Sequence, residues 1–387
     1  MSNVYESWLA GLRETVKEVE PEEASRAAAG GSAVLIDIRE QDEIASGSPR
    51  GATRIARGFL EMKIPALAAS LDLPIYVICA AGSRSLAATD SLQSMGYRNV
   101  RSVKGGYGAW VKQGLPVETP LMLSGEERIR YSRHLKIPEV GEAGQLKLAA
   151  SKVLLVGAGG LGCPAAYYLA AAGVGTIGLI DDDVVDRSNL QRQILHTDAR
   201  VGKKKVDSAR ETLLALNPGI KCLTFDTRLS VSNAESIFKQ FDIVLDGTDN
   251  FQARYLINDA CVKLGIPNVH GAVFQFEGYA TVFSPERHNG PCYRCLYPEA
   301  PPPELAPSCA EAGVLGVLPG VVGLLQAVEA IKLIIGIGKP LVGRMLSYDA
   351  LNAEFSEYEA KRSHECPVCA INRESIQLQE VAPVCAL

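Results

Sequence analysis

The run from Lys152 to Gly162 constrains the fold of this chain more than any other stretch. It reads KVLLVGAGGLG, an apolar run that ends in four glycines, Gly157, Gly159, Gly160 and Gly162. An alanine-rich stretch follows from Pro164 to Ala172. This pattern predicts a strand, a tight turn and the start of a helix, where backbone N–H groups and the helix N-terminus attract a phosphate. The alternative is a turn that serves packing alone.

A second apolar run, Thr176 to Ile180, ends in Asp181 about twenty residues after the glycines. A carboxylate at the tip of the second strand is placed to accept hydrogen bonds from a ribose. The glycine loop and Asp181 together predict a nucleotide site.

The composition narrows the class of protein. A chain of 387 residues is long enough for two domains, and 47% apolar residues are enough for sizeable cores. The net charge of −5 argues against nonspecific binding to nucleic acid, which needs a basic face.

The chain is expected to be cytoplasmic and to have no membrane partner. The N-terminus, Met1 to Glu20, is polar and acidic rather than a signal peptide. The longest apolar stretch, Val314 to Ile337, is interrupted by polar residues and Pro319, so it reads as a buried helix.

Four of the ten cysteines form two C-x-x-C pairs, which are Cys292 with Cys295 and Cys366 with Cys369. Four thiolates with this spacing and no open position predict a structural zinc site. The competing interpretation is a redox dithiol.

Cys79 has the position of a reactive cysteine. It directly follows the predicted strand Ile75 to Ile78 and stands in a short loop that contains Gly82 and Arg84 and opens a helix. Converging N–H donors, the helix dipole and the arginine favour a thiolate and would stabilise a persulfide anion. The alternative is a buried structural cysteine.

The segment around Cys79, from about residue 18 to 118, resembles a single-domain rhodanese. The matching motifs are Leu35–Glu40, Gly51–Ala52, Cys79–Ser85 and Val103–Trp110. The resemblance implies a sulfurtransferase in which Cys79 carries the persulfide and the loop through Arg84 holds it. The family commonly has histidine and proline where this chain has Ser48, Pro49 and Arg50. This difference lies in a structural turn and not in the sulfur loop.

Cations and acids follow the glycine loop. The loop has no Walker lysine of its own, so Arg192 and Lys205 are the nearest candidates to neutralise a triphosphate. A further buried strand ends in acids, and Asp246 or Asp249 could hold Mg²⁺ against phosphate oxygens. The alternatives are a solvated charge run and a helix cap.

From about residue 124 to 370 the chain resembles the MoeB/ThiF family, relatives of the ubiquitin-activating enzymes. The motifs are Arg130–His134, Gly157–Gly162, Asp181–Asp183, Ser188–Gln193, Lys205–Val206, Asp246–Asn250, Pro291–Cys295 and Cys309–Gly313. The resemblance implies ATP-dependent adenylation of the C-terminal glycine of a small ubiquitin-like sulfur carrier protein by a homodimer.

Roles for individual residues follow from the same resemblance. Asp181 takes the ribose, and the phosphates are held by Asn189, Arg192 and Lys205. Asp249 is the key acid, through Mg²⁺, and Arg133 reaches into the site of the other subunit. Cys309, at the end of a proline-rich stretch, matches a position that can link covalently to the carrier or relay sulfur; its alternative is a bystander thiol.

The expected architecture is an α/β protein of two domains. It has a rhodanese-like domain at 1–118, a linker at 119–125, a Rossmann-like, doubly wound ATP-binding domain with structural zinc at 126–370, and a tail at 371–387. Tethering gives the two domains a high effective local concentration. The sulfur domain precedes the adenylating one, whereas eukaryotic relatives carry it after.

The predicted reaction begins when the carrier's C-terminal carboxylate attacks the α-phosphate of ATP. Sulfur from a Cys79 persulfide then gives a thiocarboxylate, and the sulfur donor is a partner such as a cysteine desulfurase or thiosulfate. Molybdopterin, thiamin, cysteine and tRNA thiolation stay open as pathways. The alternatives are an NAD-dependent oxidoreductase, a stand-alone thiosulfate sulfurtransferase and a non-catalytic zinc scaffold.

Overall fold

The computed structural model describes residues 4–119, 122–300 and 313–380. The chain forms two compact units, Met1–Met122 and Leu123–Leu387. The boundary between them lies in the segment that the sequence predicts to be a linker, 119–125.

The first unit is built on a five-stranded parallel sheet in the order β1-β6-β5-β2-β4. The strands of this unit are β1 Glu18–Val19, β2 Val34–Asp37, β3 Ser48–Pro49, β4 Thr53–Arg54, β5 Ile75–Ile78, β6 Val100–Val103 and β7 Val117–Glu118. Strands β3 and β7 pair with each other in a separate two-stranded sheet. The helices of this unit are α1 Val4–Thr15, α2 Pro21–Ala29, α3 Gln41–Ile44, α4 Leu60–Leu67, α5 Ser83–Ser94 and α6 Gly106–Lys112.

The central strands of this sheet are apolar on both faces, because a parallel sheet is covered by helices on both sides. All four residues of β5 are buried, with Ile75 and Val77 facing one hydrophobic cluster and Tyr76 and Ile78 another. Cys79 directly follows β5 and is itself buried. The strand therefore fixes the cysteine at the carboxyl edge of the sheet, where the α5 helix begins.

The second unit is built on an eight-stranded mixed sheet in the order β10-β9-β8-β11-β12-β13-β14-β15. Its strands are β8 Lys152–Val156, β9 Thr176–Ile180, β10 Lys221–Phe225, β11 Ile243–Asp246, β12 Asn268–Phe274, β13 Glu277–Phe283, β14 Arg344–Asp349 and β15 Glu354–Glu359. Its helices are α7 Gly125–Arg130, α8 Ser132–Leu135, α9 Gly141–Ala150, α10 Gly162–Ala172, α11 Lys205–Leu216, α12 Val231–Phe238, α13 Phe251–Leu264, α14 Pro285–His288, α15 Tyr293–Leu296 and α16 Leu318–Ile335.

The strand order creates a crevice at one edge of this sheet. The strands from β10 to β12 are parallel, and the last three are antiparallel. The chain leaves β8 toward β9 on one side and later returns through β11 on the other. Such a switch in strand order opens a ligand crevice outside the carboxyl ends of the strands.

The α16 helix, from Leu318 to Ile335, covers the second sheet. Among the described residues it is the one helix long and apolar enough to cross a membrane, and half of it is buried within the unit. Val322, Ala327 and Ala330 belong to the main hydrophobic core. The helix therefore packs into the core of the unit, in agreement with the buried helix that the sequence predicts.

The packed part of the second unit extends beyond residue 370, where the sequence predicts a tail to begin. Ile376 is 4% exposed and joins Val262 and the four cysteines of the C-x-x-C pairs in one cluster. Residues 371–378 therefore contribute apolar side chains to the unit, and a domain boundary at 370 stays a prediction.

Candidate functional site

A cavity of about 1010 Å³ lies at the carboxyl ends of β8, β9 and β11. Eight of the nine residues predicted to bind the nucleotide line it: Gly157, Gly159, Gly160, Asp181, Asn189, Arg192, Lys205 and Asp249. The strand order brings together residues that are separated by up to 92 positions in the chain, and the site is a single crevice.

The glycines of the loop have two different roles. Gly157 has a φ of +98°, and a Cβ there would lie 3.0 Å from the carbonyl oxygen of Gly247. A Cβ at Gly162 would lie 2.0 Å from the carbonyl oxygen of Gly157, and Gly162 does not line the cavity. The close approach of α10 to the loop explains why residue 162 is glycine, and its predicted contact with the ligand stays a prediction. A Cβ at Gly159 would lie 3.8 Å from Gln193 Nε2, which is an ordinary van der Waals contact.

Asp181 holds the glycine loop in place. Its carboxylate accepts hydrogen bonds from the backbone N–H of Ala158 at 2.7 Å and of Asp183 at 2.9 Å. The side chain is half-buried and borders the cavity. Each carboxylate oxygen has a further lone pair, and its bond to a ribose stays a prediction.

Cations surround the cavity from several elements. Lys205, at the start of α11, is buried and pairs with Asp183 at 2.7 Å. Arg192 donates to the carbonyl oxygen of Ser188 at 3.3 Å. Arg228 and Arg254 also line the cavity, and the sequence motifs did not identify them. Both follow strands that end at the same sheet edge, which is the signal that could have found them.

The structure distinguishes the two candidate acids at the end of β11. Asp246 is fully buried and accepts from His270 Nδ1 at 2.8 Å, and from the backbone N–H and hydroxyl of Thr248 at 3.0 and 2.7 Å. Burial raises the pKa of Asp246, but the hydrogen bond and charge of His270, the charge of Arg254 and the hydrogen bond from Thr248 together hold it below its usual value. Asp246 is thus a structural acid.

Asp249 is the acid that is free to meet a ligand. It is exposed at the cavity, and it makes no hydrogen bond or ion pair within the described parts of the chain. Mg²⁺ prefers oxygen ligands, and a carboxylate at this cavity without a partner among the described residues is suited to provide one.

Two predicted residues lie away from the cavity or outside the described residues. Arg133 is exposed on α8 and does not line the cavity of its own chain. Cys309 lies outside the described residues, so its predicted role is not examined by the structure.

The four cysteines of the C-x-x-C pairs form one cluster, in which all four sulfur atoms lie within 4.8 Å of one another. Cys292 Sγ is 3.5 Å from Cys366 Sγ, and Cys295 Sγ is 3.3 Å from Cys369 Sγ. A tetrahedral zinc with Zn–S bonds of about 2.3 Å separates its sulfurs by about 3.8 Å. The donor set and spacing are therefore consistent with a zinc site.

In the first unit, the Cys79 loop points its N–H groups at the sulfur. Cys79 Sγ accepts from the backbone N–H of Gly82 at 3.2 Å and of Ser85 at 3.3 Å, and it lies 3.5 Å from the Ser85 hydroxyl. Gly82 has a φ of +95°, which turns the loop into α5. The arrangement provides the neutral donors that a sulfur anion needs.

Arg84 differs from the sequence expectation, because its charge is already paired. Its guanidinium donates to both carboxylate oxygens of Glu43, at 2.8 and 2.5 Å. The hydrogen bond from Arg84 lowers the pKa of Glu43 to about 2. The arginine therefore anchors the loop to α3 as well as adding positive charge near Cys79.

Comparisons with known proteins agree with this geometry. Residues 131–368 match the ThiF family, and residues 20–113 match the rhodanese-like domain. The E. coli protein MccB, in a crystal structure with ATP, has a TM-score of 0.54 and 23% identity, over 62% of this chain and 73% of that one. That likeness shows the fold alone.

Curated relatives are much more similar in sequence. A probable adenylyltransferase/sulfurtransferase MoeZ of Mycobacterium tuberculosis is 52% identical over 65% of this chain, and the match spans only 64% of MoeZ. A sulfur carrier protein adenylyltransferase of Thermus thermophilus is 49% identical over 68% of this chain and 98% of that protein. A SAMP-activating enzyme E1 of Haloferax volcanii is 50% identical over 64% of this chain and 91% of that protein. The chain belongs to the ThiF family and carries a rhodanese-like domain before its ThiF domain.

Proposed function

We propose that the chain is an adenylyltransferase and sulfurtransferase that activates a small ubiquitin-like sulfur carrier protein. It would adenylate the carrier's C-terminal glycine with ATP and then convert it to a thiocarboxylate with sulfur from Cys79. The names of the Mycobacterium and Thermus relatives, at about 50% identity, support this assignment.

The observation that carries the proposal is the make-up of the cavity. A glycine loop, Lys205, Arg192 and Asp249 line it together, and Asp249 has no partner among the described residues. These groups suit a nucleoside triphosphate with a metal ion. An NAD site would share the glycine loop but would not need Arg192, Lys205 and Asp249. The family match and the cavity therefore favour ATP over the NAD-dependent alternative.

Adenylation brings two anions together, since the carrier's carboxylate must approach the α-phosphate. Arg192 and Lys205 reduce that repulsion and stabilise the charge that accumulates on the phosphate oxygens, with pyrophosphate as the leaving group. Mg²⁺ would be held by Asp249 and would supply further charge neutralisation on the phosphates.

Sulfur transfer would begin at the Cys79 loop, where the backbone N–H groups of Gly82 and Ser85 donate to the sulfur. A cysteine desulfurase or thiosulfate would supply the sulfur. The outer sulfur of the Cys79 persulfide would attack the acyl-adenylate and release AMP, which leaves the carrier joined to Cys79 through an acyl disulfide. A second thiol would then attack the Cys79 sulfur, so that the thiocarboxylate leaves and a disulfide forms between Cys79 and that thiol. Cys309 is a candidate relay. It precedes Val314, which lines the cavity, by five residues, a span of about 18 Å at most in an extended chain.

The proposed assembly is a cytoplasmic homodimer. Arg133 supports it, because the side chain is exposed and lies outside the lining of its own cavity, which suits a cation that completes the partner's site. Structural zinc, held by the four clustered cysteines, would hold the C-terminal part of the unit together.

Exchange of radioactive pyrophosphate into ATP tests the adenylation step. Exchange should depend on a carrier that ends in glycine and should disappear when that carrier lacks its last residue. Absence of exchange with every carrier tried would refute the proposal. Capture of the bound small protein from cell extract, with sequencing of its C-terminus, would then identify the carrier.

A further inference from the structure

We propose that Gln193 is a positioning residue that orients the side-chain amide of Asn189, so that the N–H donors of this amide face the phosphates of ATP. The inference rests on the proposed function, because it takes ATP as the occupant of the cavity. It assigns a role to Gln193, the last residue of the Ser188–Gln193 motif, in addition to the roles of Asn189 and Arg192.

The contact between the two side chains fixes which end of Asn189 is free. Gln193 Nε2 donates a hydrogen bond to Asn189 Oδ1 at 2.7 Å. An asparagine amide has an oxygen that accepts and a nitrogen that donates. Because Gln193 occupies the oxygen, the nitrogen is the end left for a ligand, and Asn189 Nδ2 has no protein partner within the described residues.

Both residues border the cavity that is proposed to hold the nucleotide. Asn189 and Gln193 line the cavity together with Gly159. Gln193 Nε2 lies 3.8 Å from the place that a Cβ of Gly159 would occupy. The Gln193 amide therefore packs beside the glycine loop, and an N–H donor in that place suits an anionic oxygen.

The side-chain oxygen of Gln193 indicates that this residue has a role beyond stabilising the fold. Gln193 is 4% exposed, and its Oε1 is buried without a hydrogen-bond partner among the described residues. A buried acceptor without a partner destabilises the folded state. Gln193 thus makes its hydrogen bond to Asn189 at the cost of leaving its own Oε1 unpaired, which lowers the stability of the fold.

Gln145 is the matched case of a glutamine that does serve folding. It is fully buried, its Nε2 donates to the carbonyl oxygen of Ala172 at 2.8 Å, and its Oε1 lies 2.9 Å from His134 Nδ1. It does not line the cavity. Both ends of Gln145 are paired, so its replacement should cost stability and leave nucleotide binding unchanged.

The experiment compares Gln193→Met, Gln193→Glu and Gln145→Met in the full chain. The dissociation constant of a non-hydrolysable ATP analogue is measured by calorimetry, and the melting temperature is measured without ligand. Gln193→Met should weaken the analogue about tenfold, as expected for a lost hydrogen bond to a charged group, with an unchanged or higher melting temperature. Gln145→Met should lower the melting temperature and leave the dissociation constant unchanged.

Gln193→Glu gives the sharper test of orientation. A carboxylate at this place accepts rather than donates, so Asn189 would turn its nitrogen toward residue 193 and its oxygen toward the phosphates. The analogue should therefore bind this variant more weakly than Gln193→Met.

Three outcomes decide the proposal. A lower melting temperature with unchanged nucleotide binding in Gln193→Met would show a structural role and overturn it. Equal binding by Gln193→Glu and the unmodified chain would overturn it too, because the orientation of Asn189 would not matter. If the unmodified chain itself binds no ATP analogue, the proposed function fails and the inference fails with it, which is a separate result.

Discussion

The ammonium of Lys205 lies 2.7 Å from Oδ2 of Asp183, and the lysine side chain is 7% exposed whereas that of Asp183 is 67% exposed. The cation proposed to bind phosphate is thus already paired with an acid of the same site. Phosphate oxygens must compete with this carboxylate for the lysine, so Asp183 opposes nucleotide binding even though it stabilises the buried charge.

Removal of the Asp183 charge should therefore strengthen nucleotide binding. Asp183→Asn keeps an oxygen that can accept from Lys205, and we expect about fivefold tighter binding of a non-hydrolysable ATP analogue, equivalent to roughly 1 kcal/mol. Lys205→Met should weaken binding by about 100-fold, because a charge-assisted contact is lost. Calorimetry at constant Mg²⁺ measures both. Weaker binding by Asp183→Asn would show instead that Asp183 assists the metal ion.

Asp246 and Asp249, at the end of β11 and just after it, should respond differently to substitution by asparagine. Asp249→Asn should reduce pyrophosphate exchange by about 100-fold and leave the melting temperature unchanged, since Asp249 has no partner in the described residues. Asp246→Asn should destabilise the fold by about 2 kcal/mol, because it breaks the buried pair with His270. Loss of exchange without loss of stability in Asp246→Asn would contradict this division.

The sequence predicts those parts of the site that depend on neighbours along the chain. The strand, glycine loop and helix around Gly157 follow from local patterning, and Asp181 ends the next strand. The family resemblance, carried by ordered motifs, adds Asn189, Arg192 and Lys205, all of which line the cavity. The C-x-x-C spacing likewise predicts the cysteine cluster.

The parts that the sequence does not predict depend on contacts between distant segments. Asp246 and Asp249 look alike until β12 pairs with β11 and brings His270 against one of them. The carboxylate that pairs with Arg84 is 41 residues away in the chain. The sequence groups Gly162 with the ligand-binding glycines, because it cannot show that a Cβ at this position would clash with the carbonyl oxygen of Gly157.

The cysteine cluster predicts about one zinc per chain in the purified protein. Because Cys366 and Cys369 share their cluster with Val262 and Ile376, chelation should lower the melting temperature of the second unit. Cys366→Ser should reduce the zinc content and reproduce that destabilisation. Elemental analysis and thermal unfolding measure both effects. Complete loss of metal without any change in unfolding would contradict a structural role.

Replacement of Cys79 should separate the two proposed activities. In Cys79→Ala, carrier-dependent pyrophosphate exchange should continue at the unmodified rate, whereas formation of the carrier thiocarboxylate should fall to background, because the persulfide has no sulfur to form on. Mass spectrometry of the carrier detects the thiocarboxylate. Cys222→Ala is the matched control, as Cys222 is a half-buried thiol on β10 outside the cavity lining. Unchanged thiocarboxylate formation in Cys79→Ala would remove the rhodanese-like domain from the reaction.

The pair of Arg84 with Glu43 should make the first unit sensitive to acid. The pKa of Glu43 falls from 4.5 to about 2 because Arg84 donates to its carboxylate. A lowered pKa stabilises the folded state at pH values above 4.5, and this stabilisation is lost as the pH falls from 4.5 to about 2.

Tryptophan fluorescence reports the unfolding of the first unit, because both tryptophans, Trp8 and Trp110, lie in it. The difference in unfolding free energy between the unmodified chain and Glu43→Gln should be constant above pH 5 or so and vanish near pH 2. Arg84→Gln should behave in the same way, and combining it with Glu43→Gln should add little, since both remove one interaction. A difference that persists unchanged at pH 2 would show that the pair does not account for the stability of the loop.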